Sequence, residues 1–315
     1  MPTWRYCRRR LQSILFTGLV LSLLIGFLYT SYTMNVDAST QNWQVGERKQ
    51  IPKSQNQIET TQNHLVQFPS TTLPQVGFQR DFWIARLTEY TSGITPFLQY
   101  KTERATLLAA GEHGAIFFTN GCISILGEAN AIRIAEVLRD AFDSTIYPRV
   151  TDLAGHPNGT RGDIDGDPRI YILLSQEETS FYSGINERAN SFINPYSNEC
   201  EMFYIYYQVS LERVIAHEFH HLILFNTEVD EQQFTLEGLA CYASYYSGYL
   251  TPWNNLHPSV PLFLDHPQDS LLYWNFRSEG GLSVGIDYAG AYLLAFYIAE
   301  QYGVDILRNL IQEPA

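Results

Sequence analysis

Val214-Ile215-Ala216-His217-Glu218-Phe219-His220-His221-Leu222-Ile223 is an apolar stretch interrupted only by three histidines and one glutamate. Its length and its flanking Leu222-Ile223-Leu224-Phe225 suit a helix in a protein interior. On a helix, His217 and His221 stand one turn apart on one face, so both imidazoles can reach a single metal ion. Zinc takes such nitrogens at about 2.0–2.1 Å, and a catalytic site needs a third protein ligand plus an open position for water. Glu218, beside that face, can serve as general base toward the water. For the motif alone, a helix with two buried, hydrogen-bonded histidines is the plain alternative. His220 points away from the shared edge and reads as a packed or exposed histidine.

The third ligand must come from downstream. A polar turn runs from Thr227 to Gln233, and a second helix is expected over Thr235–Ser244. Thr235 suits its N-cap and Gly248 its stop, which puts Glu237 in the first turn. Gly238 would let another helix approach closely. A helix, a turn and a packed second helix could thus bring Glu237 to the open side of the histidine pair. A metzincin-type third histidine is absent, because Thr227 stands in its place. Glu228, Asp230 and Glu231 are rival carboxylates, but a turn favours a solvated role for them.

This arrangement resembles the gluzincin metalloproteases, the thermolysin-like clan, and within it the chain is most similar to hyicolysin-type bacterial peptidases. The resemblance runs from about Phe78 to the C-terminus. It rests on Asp163-Ile164-Asp165-Gly166-Asp167 before Ile170–Leu174, on Tyr182-Ser183-Gly184, on Ser197-Asn198-Glu199 before Met202–Tyr206, on the His217 motif, and on Glu237-Gly238-Leu239-Ala240. It implies that His217, His221 and Glu237 bind zinc and that Glu218 activates water. It also implies that the strand before the zinc helix, at Met202–Tyr207 or just upstream, lies at a sheet edge and pairs with substrate; an ordinary core strand is the alternative. Cys241 departs from the pattern, since thermolysin-like enzymes often carry an acidic residue one turn after the glutamate ligand. The group that orients the histidines must then come from elsewhere.

The second electrophile of such a site is usually Tyr or His. Tyr288, Tyr245 and Tyr246 qualify by position. Tyr288 opens Tyr288-Ala289-Gly290-Ala291-Tyr292, similar to the helix start that supplies a catalytic tyrosine in zinc aminopeptidases, though one residue shorter to the glycine.

Outward from the motif, pattern sets the rest. Ala115–Thr119 and Cys122–Leu126 read as strands about an Asn120-Gly121 hairpin turn. Ile134, Leu138, Ala141 and Phe142 mark one face of a helix over Glu128–Asp143, and Ile170–Leu174 reads as a central strand. The fold class expected is α+β and gluzincin-like: a twisted mixed sheet lobe, the zinc helix, and a helical C-terminal lobe. Asp163, Asp165 and Asp167 resemble part of a calcium loop, but Pro168 follows and no glutamate closes it, so a turn is the better account. Asn158-Gly159-Thr160 fits a glycosylation sequon.

Arg5, Arg8, Arg9 and Arg10 precede a stretch without charge up to Asp37, most apolar over Ile14–Tyr29. Residues 1–38 therefore read as a secretory signal, cleavable after Ala38, or a signal anchor with a membrane helix over about 11–32. The rest of the chain is then extracytoplasmic, either secreted or tethered to the membrane. Residues 39–75 are rich in Gln, Thr, Ser and Asn and read as a flexible linker or short propeptide. Residues 76–315 form the metallopeptidase domain, which ends soon after an apolar helix, shorter than related peptidases usually run. Taking away residues 1–38 removes four of 20 basic and one of 33 acidic residues, leaving a net charge of −16. So acidic a surface repels phosphate and excludes a nucleic-acid partner. Beyond Cys7, the cysteines Cys122, Cys200 and Cys241 allow at most one disulfide; Cys241 could also meet a metal as thiolate.

These readings converge on a zinc-dependent endopeptidase acting on peptides or proteins. The alternatives are an aminopeptidase or non-peptidase metallohydrolase with the same site, or a surface-tethered binding protein with a structural zinc.

Overall fold

A computed structural model describes residues 73–87, 98–157, 165–177, 180–182, 195–227, 232–250, 260–265, 267 and 282–312. The basic flank, the apolar run, nearly all of the linker, the sequon, Asp163, Ser183, Gly184 and the turn acids Glu228, Asp230 and Glu231 lie outside the described residues. Among the described residues, no helix is long and apolar enough to cross a membrane.

Among the described residues the architecture is α+β with one mixed sheet. Its strands are β1 (Gln79–Leu87), β2 (Leu98–Ala110), β3 (Gly114–Thr119), β4 (Ile170–Ser175), β5 (Phe181–Tyr182) and β6 (Met202–Tyr206), in the order β1-β2-β3-β4-β6-β5. The first three pair antiparallel, β3, β4 and β6 run parallel, and β5 returns antiparallel along the outer edge of β6. Ile170–Leu174 is central, as its unbroken apolar run demands when both faces are covered. Alternation divides its side chains: Ile172 and Leu174 join Ile116, Phe118, Phe203 and Ile205 on the face toward the helices. Tyr171 and Leu173 join Phe82, Phe117 and Met202 on the other.

The Asn120-Gly121 hairpin does not form. Those residues open helix α1 (Asn120–Leu126), where Thr119 Oγ1 accepts the Cys122 N–H at 3.2 Å. Both edges of β3 are already taken, by β2 and by β4, so Cys122–Leu126 has no strand to pair with. Helix α2 (Glu128–Ala141) buries Leu138 as the period requires and passes through a π-type turn at Phe142–Ile146 into α3 (Tyr147–Ala154).

Helix α4 (Leu211–Thr227) carries the motif. Ile215, Phe219, Leu222 and Ile223 are fully buried at helical spacing, and Phe219 packs edge-on against Phe142 at 5.1 Å. Helix α5 (Gln233–Tyr246) begins earlier than the sequence suggests. Its N-cap is Gln232, with no side-chain cap, and Thr235 sits inside the first turn, so Glu237 falls in the second. The stop agrees, with Gly248 at φ +87°. Helices α6 (Val260–Asp265), α7 (Leu282–Tyr302) and α8 (Val304–Gln312) complete the described chain.

Candidate metal centre

Two contacts fix α5 across α4. Ser244 Oγ donates to the Arg213 carbonyl at 2.8 Å, near the start of α4 and the end of α5. Glu237, two turns earlier on α5, meets His217 and His221 further along α4, so the helices run antiparallel. Gly238 allows α7 to pack close against α5: a Cβ there would stand 2.6 Å from the Ala291 carbonyl oxygen. Helix α5 therefore meets both α4 and α7 at or next to Glu237.

The outcome is a triangle of three ligand atoms. His217 Nε2 is 3.0 Å from Glu237 Oε2, His221 Nε2 is 3.3 Å from the same oxygen, and the two nitrogens are 3.1 Å apart. Ligands bonded at about 2.0–2.1 Å to a tetrahedral zinc lie about 3.3 Å from one another. The donor set and its spacing fit such an ion. The three side chains form the metal-capable group of His, Cys, Asp or Glu found among the described residues. They are 9–15% exposed, and of the three His217 lines a cavity.

Electrostatics bind the group further. Burial would push the Glu237 carboxyl up, but the charges and hydrogen bonds of His221 and His217 outweigh it and hold it well below the usual carboxylate range. Burial likewise pushes His221 down, and the Glu237 carboxylate more than reverses this.

Two residues to which the sequence reading gave no such role contact the triangle. Gln233 Nε2 donates to Glu237 Oε1 at 2.8 Å, leaving Oε2 for the triangle. Its spacing of one turn before Glu237 was the available signal, obscured by starting the helix at Thr235. Cys241 Sγ lies 3.7 Å from His217 Nδ1, on the ring nitrogen away from the triangle. The partner of that histidine is thus the thiol itself. Cys241 stands outside the triangle, and burial pushes its thiol well up. Cys122, Cys200 and Cys241 are all buried and free, so the disulfide allowed by their number does not form.

A cavity of about 220 Å³ adjoins the triangle and is lined by Ser180, Tyr206, Arg213, His217, Glu218 and Tyr288 among others. Glu218 is 6% exposed and reaches the cavity wall. Tyr288 stands with its ring 6.4 Å from that of His217, and burial pushes its phenol well up, so it remains a donor. The other tyrosines are elsewhere: Tyr245 packs on Phe296 at 5.1 Å, and Tyr246 donates to Asp152 at 2.5 Å. His220 is fully buried with neither ring nitrogen hydrogen-bonded, a core residue.

Of the two strands expected as the edge, the upstream one, β5, holds it, and Met202–Tyr206 is inner. Met202–Tyr206 has β4 on one side and β5 on the other, and β5 holds the outer position. Asp167 pairs with Arg169 at 2.6 Å and accepts from Tyr171 at 2.9 Å, and Asp165 accepts the Asp167 N–H, which makes this segment a turn feeding β4.

No protein-family model matches this chain, and no curated protein does.

Proposed function

We propose that the chain is a zinc-dependent endopeptidase of the gluzincin type, with His217, His221 and Glu237 as ligands. The observation that carries this is the triangle of ligand atoms 3.0–3.3 Å apart, beside a cavity that His217, Glu218 and Tyr288 line. When bound, zinc supplies a Lewis acid for the scissile carbonyl and lowers the pKa of a coordinated water. The Glu218 carboxylate takes a proton from the attacking water and passes it to the leaving amine nitrogen. The Tyr288 phenol donates a hydrogen bond to the oxyanion that develops on the carbonyl oxygen. Burial of both groups strengthens these interactions by excluding water. The short edge strand β5, reached from Ser180 in the cavity wall, offers N–H and C=O groups to an extended peptide. The basic flank and apolar run at the N-terminus support an extracytoplasmic setting, secreted or membrane-tethered.

The test is metal analysis of the purified full chain, followed by digestion of casein and an unselective peptide library with and without chelator. The expected result is about one zinc per chain and chelator-sensitive internal cleavage. Removal of residues only from the free amino end would instead make it an aminopeptidase. A zinc-replete protein that cuts nothing, with four protein ligands and no water in the metal shell by X-ray absorption, would leave only a structural site.

A further inference from the structure

Arg213 lines the same cavity as His217, Glu218 and Tyr288. It lies in the first turn of α4, four residues before His217 and so on the same helix face. Its backbone is anchored, since its carbonyl accepts the Ser244 hydroxyl. Its side chain, among the described residues, enters no ion pair and no hydrogen bond. Its charge reaches the Cys241 thiol, which lines the same cavity. Other arginines are engaged: Arg104 with Asp81, Arg139 with Asp140, Arg169 with Asp167 and Arg308 with Asp152.

The chain carries 33 acidic against 20 basic side chains, and half-buried Arg80, likewise without a carboxylate, gives its guanidinium to the Asn198 carbonyl at 2.6 Å, an acceptor of a kind that Arg213 lacks among the described residues. The acids nearest the cavity are committed elsewhere. Glu237 is held by two imidazoles and Gln233, and Glu218 stands where the attacking water must be. Arg213 also sits at the positive end of the 17-residue helix α4, which adds to its attraction for an anion.

We infer that Arg213 selects substrates that carry a carboxylate close to the bond cut. A guanidinium fork matches a carboxylate by two parallel hydrogen bonds, and a cavity of about 220 Å³ holds little more than one or two side chains. Residues four apart on a helix face are roughly 5–6 Å apart, and an extended peptide advances about 3.3–3.6 Å per residue. The carboxylate therefore lies within about two residues of the scissile bond. It is either an Asp or Glu side chain or the free carboxyl end of a short peptide. This assignment rests on the peptidase reading above and adds its substrate class. A local, half-buried charge outweighs the diffuse negative surface, which is screened within about 8–10 Å in physiological salt.

The experiment uses the zinc-replete full chain and one parent peptide. Aspartate, asparagine or lysine is placed in turn at the positions flanking the bond, each peptide with a free or an amidated carboxyl end. Aspartate is expected to exceed asparagine by about tenfold in kcat/KM at one position, or the free end to exceed the amide. Arg213→Gln should bring that ratio below about twofold, and Arg213→Glu should turn it toward lysine. A binding arm avoids turnover: Glu218→Gln, loaded with zinc, should bind the acidic peptide in fluorescence anisotropy, and adding Arg213→Gln should remove that binding. If Arg213→Gln does not fold, the ratio in the unsubstituted chain should still fall as salt rises. Equal cleavage of acidic and neutral peptides, or a preference that survives in Arg213→Gln, overturns the Arg213 assignment and leaves the peptidase reading intact. A zinc-replete chain that neither binds nor cuts any peptide overturns both.

Discussion

The Cys241 sulfur stands 3.7 Å from Nδ1 of His217, behind the ring whose Nε2 faces the metal triangle. Ligand histidines usually direct this second nitrogen to a carboxylate or carbonyl, which fixes the tautomer and raises ligand basicity. A protonated thiol fixes the ring by packing and by a weak hydrogen bond, but lends it no charge. Cys241→Ala should therefore weaken zinc binding by only about tenfold, the low end for such partners, and Cys241→Asp should tighten it by a similar factor. Chelator competition measures both, and unchanged affinity in both would deny the thiol any role in positioning His217.

Tyr288→Phe removes the donor and keeps the ring. A lost oxyanion donor costs about 10²–10³ in kcat, with KM little altered. Steady-state kinetics on a zinc-replete sample separates this from loss of metal. Activity equal to that of the parent chain would show that the phenol merely packs beside His217.

The Glu218→Gln variant keeps the shape of the cavity wall and loses the base. Zinc content should stay at the parental level while turnover falls below detection. Full activity in a zinc-replete sample would refute the assigned base.

Gly238→Ala puts a methyl group 2.6 Å from the Ala291 carbonyl oxygen, which is backbone and cannot swing aside. Overpacking of this kind costs about 1–3 kcal/mol, and each kcal/mol lowers Tm by about 2–4 °C in a domain of this size. Zinc affinity should drop as well, since Glu237 is the adjacent residue. A parental melting curve with parental affinity would show that α5 and α7 part freely.

His220 is buried with both nitrogens unpartnered, and burial pushes its pKa well below 6.5. The folded form stays neutral where the unfolded chain takes up a proton. The unfolded state thus binds more protons below pH 6.5, so this residue lowers stability as pH falls through that value and has no such effect above it. His220→Leu should gain about 1 kcal/mol at neutral pH by removing unsatisfied groups. It should also flatten the acid slope of stability between about pH 7 and about pH 5, measured by denaturant titration of the metal-free protein. Identical slopes in the two proteins would show that the ring finds a partner.

Much of this was legible in the residues. The apolar run Ile170–Leu174 read as a central strand, and it is one, because burial on both faces leaves no room for polar alternation. The pair His217 and His221 could be placed on one face from spacing alone, since helical periodicity is a local property. Where pattern failed, a non-local partner decided. Asn120-Gly121 carries a hairpin signal, yet β4 arrives from about 50 residues further on to occupy the edge that a hairpin would need. Met202–Tyr206 could not be known as an inner strand before the brief return of β5.

The sequence by itself determined that two imidazoles and an acid share one helix turn, and that a second glutamate follows beside a glycine. Only the tertiary structure decided that Glu237 closes the triangle, that Gln233 turns it, that a thiol backs His217 and that Arg213 faces the same cavity. Those four facts depend on how α4, α5 and α7 cross. Helix crossing is set by close packing of surfaces distant along the chain, which no local periodicity encodes.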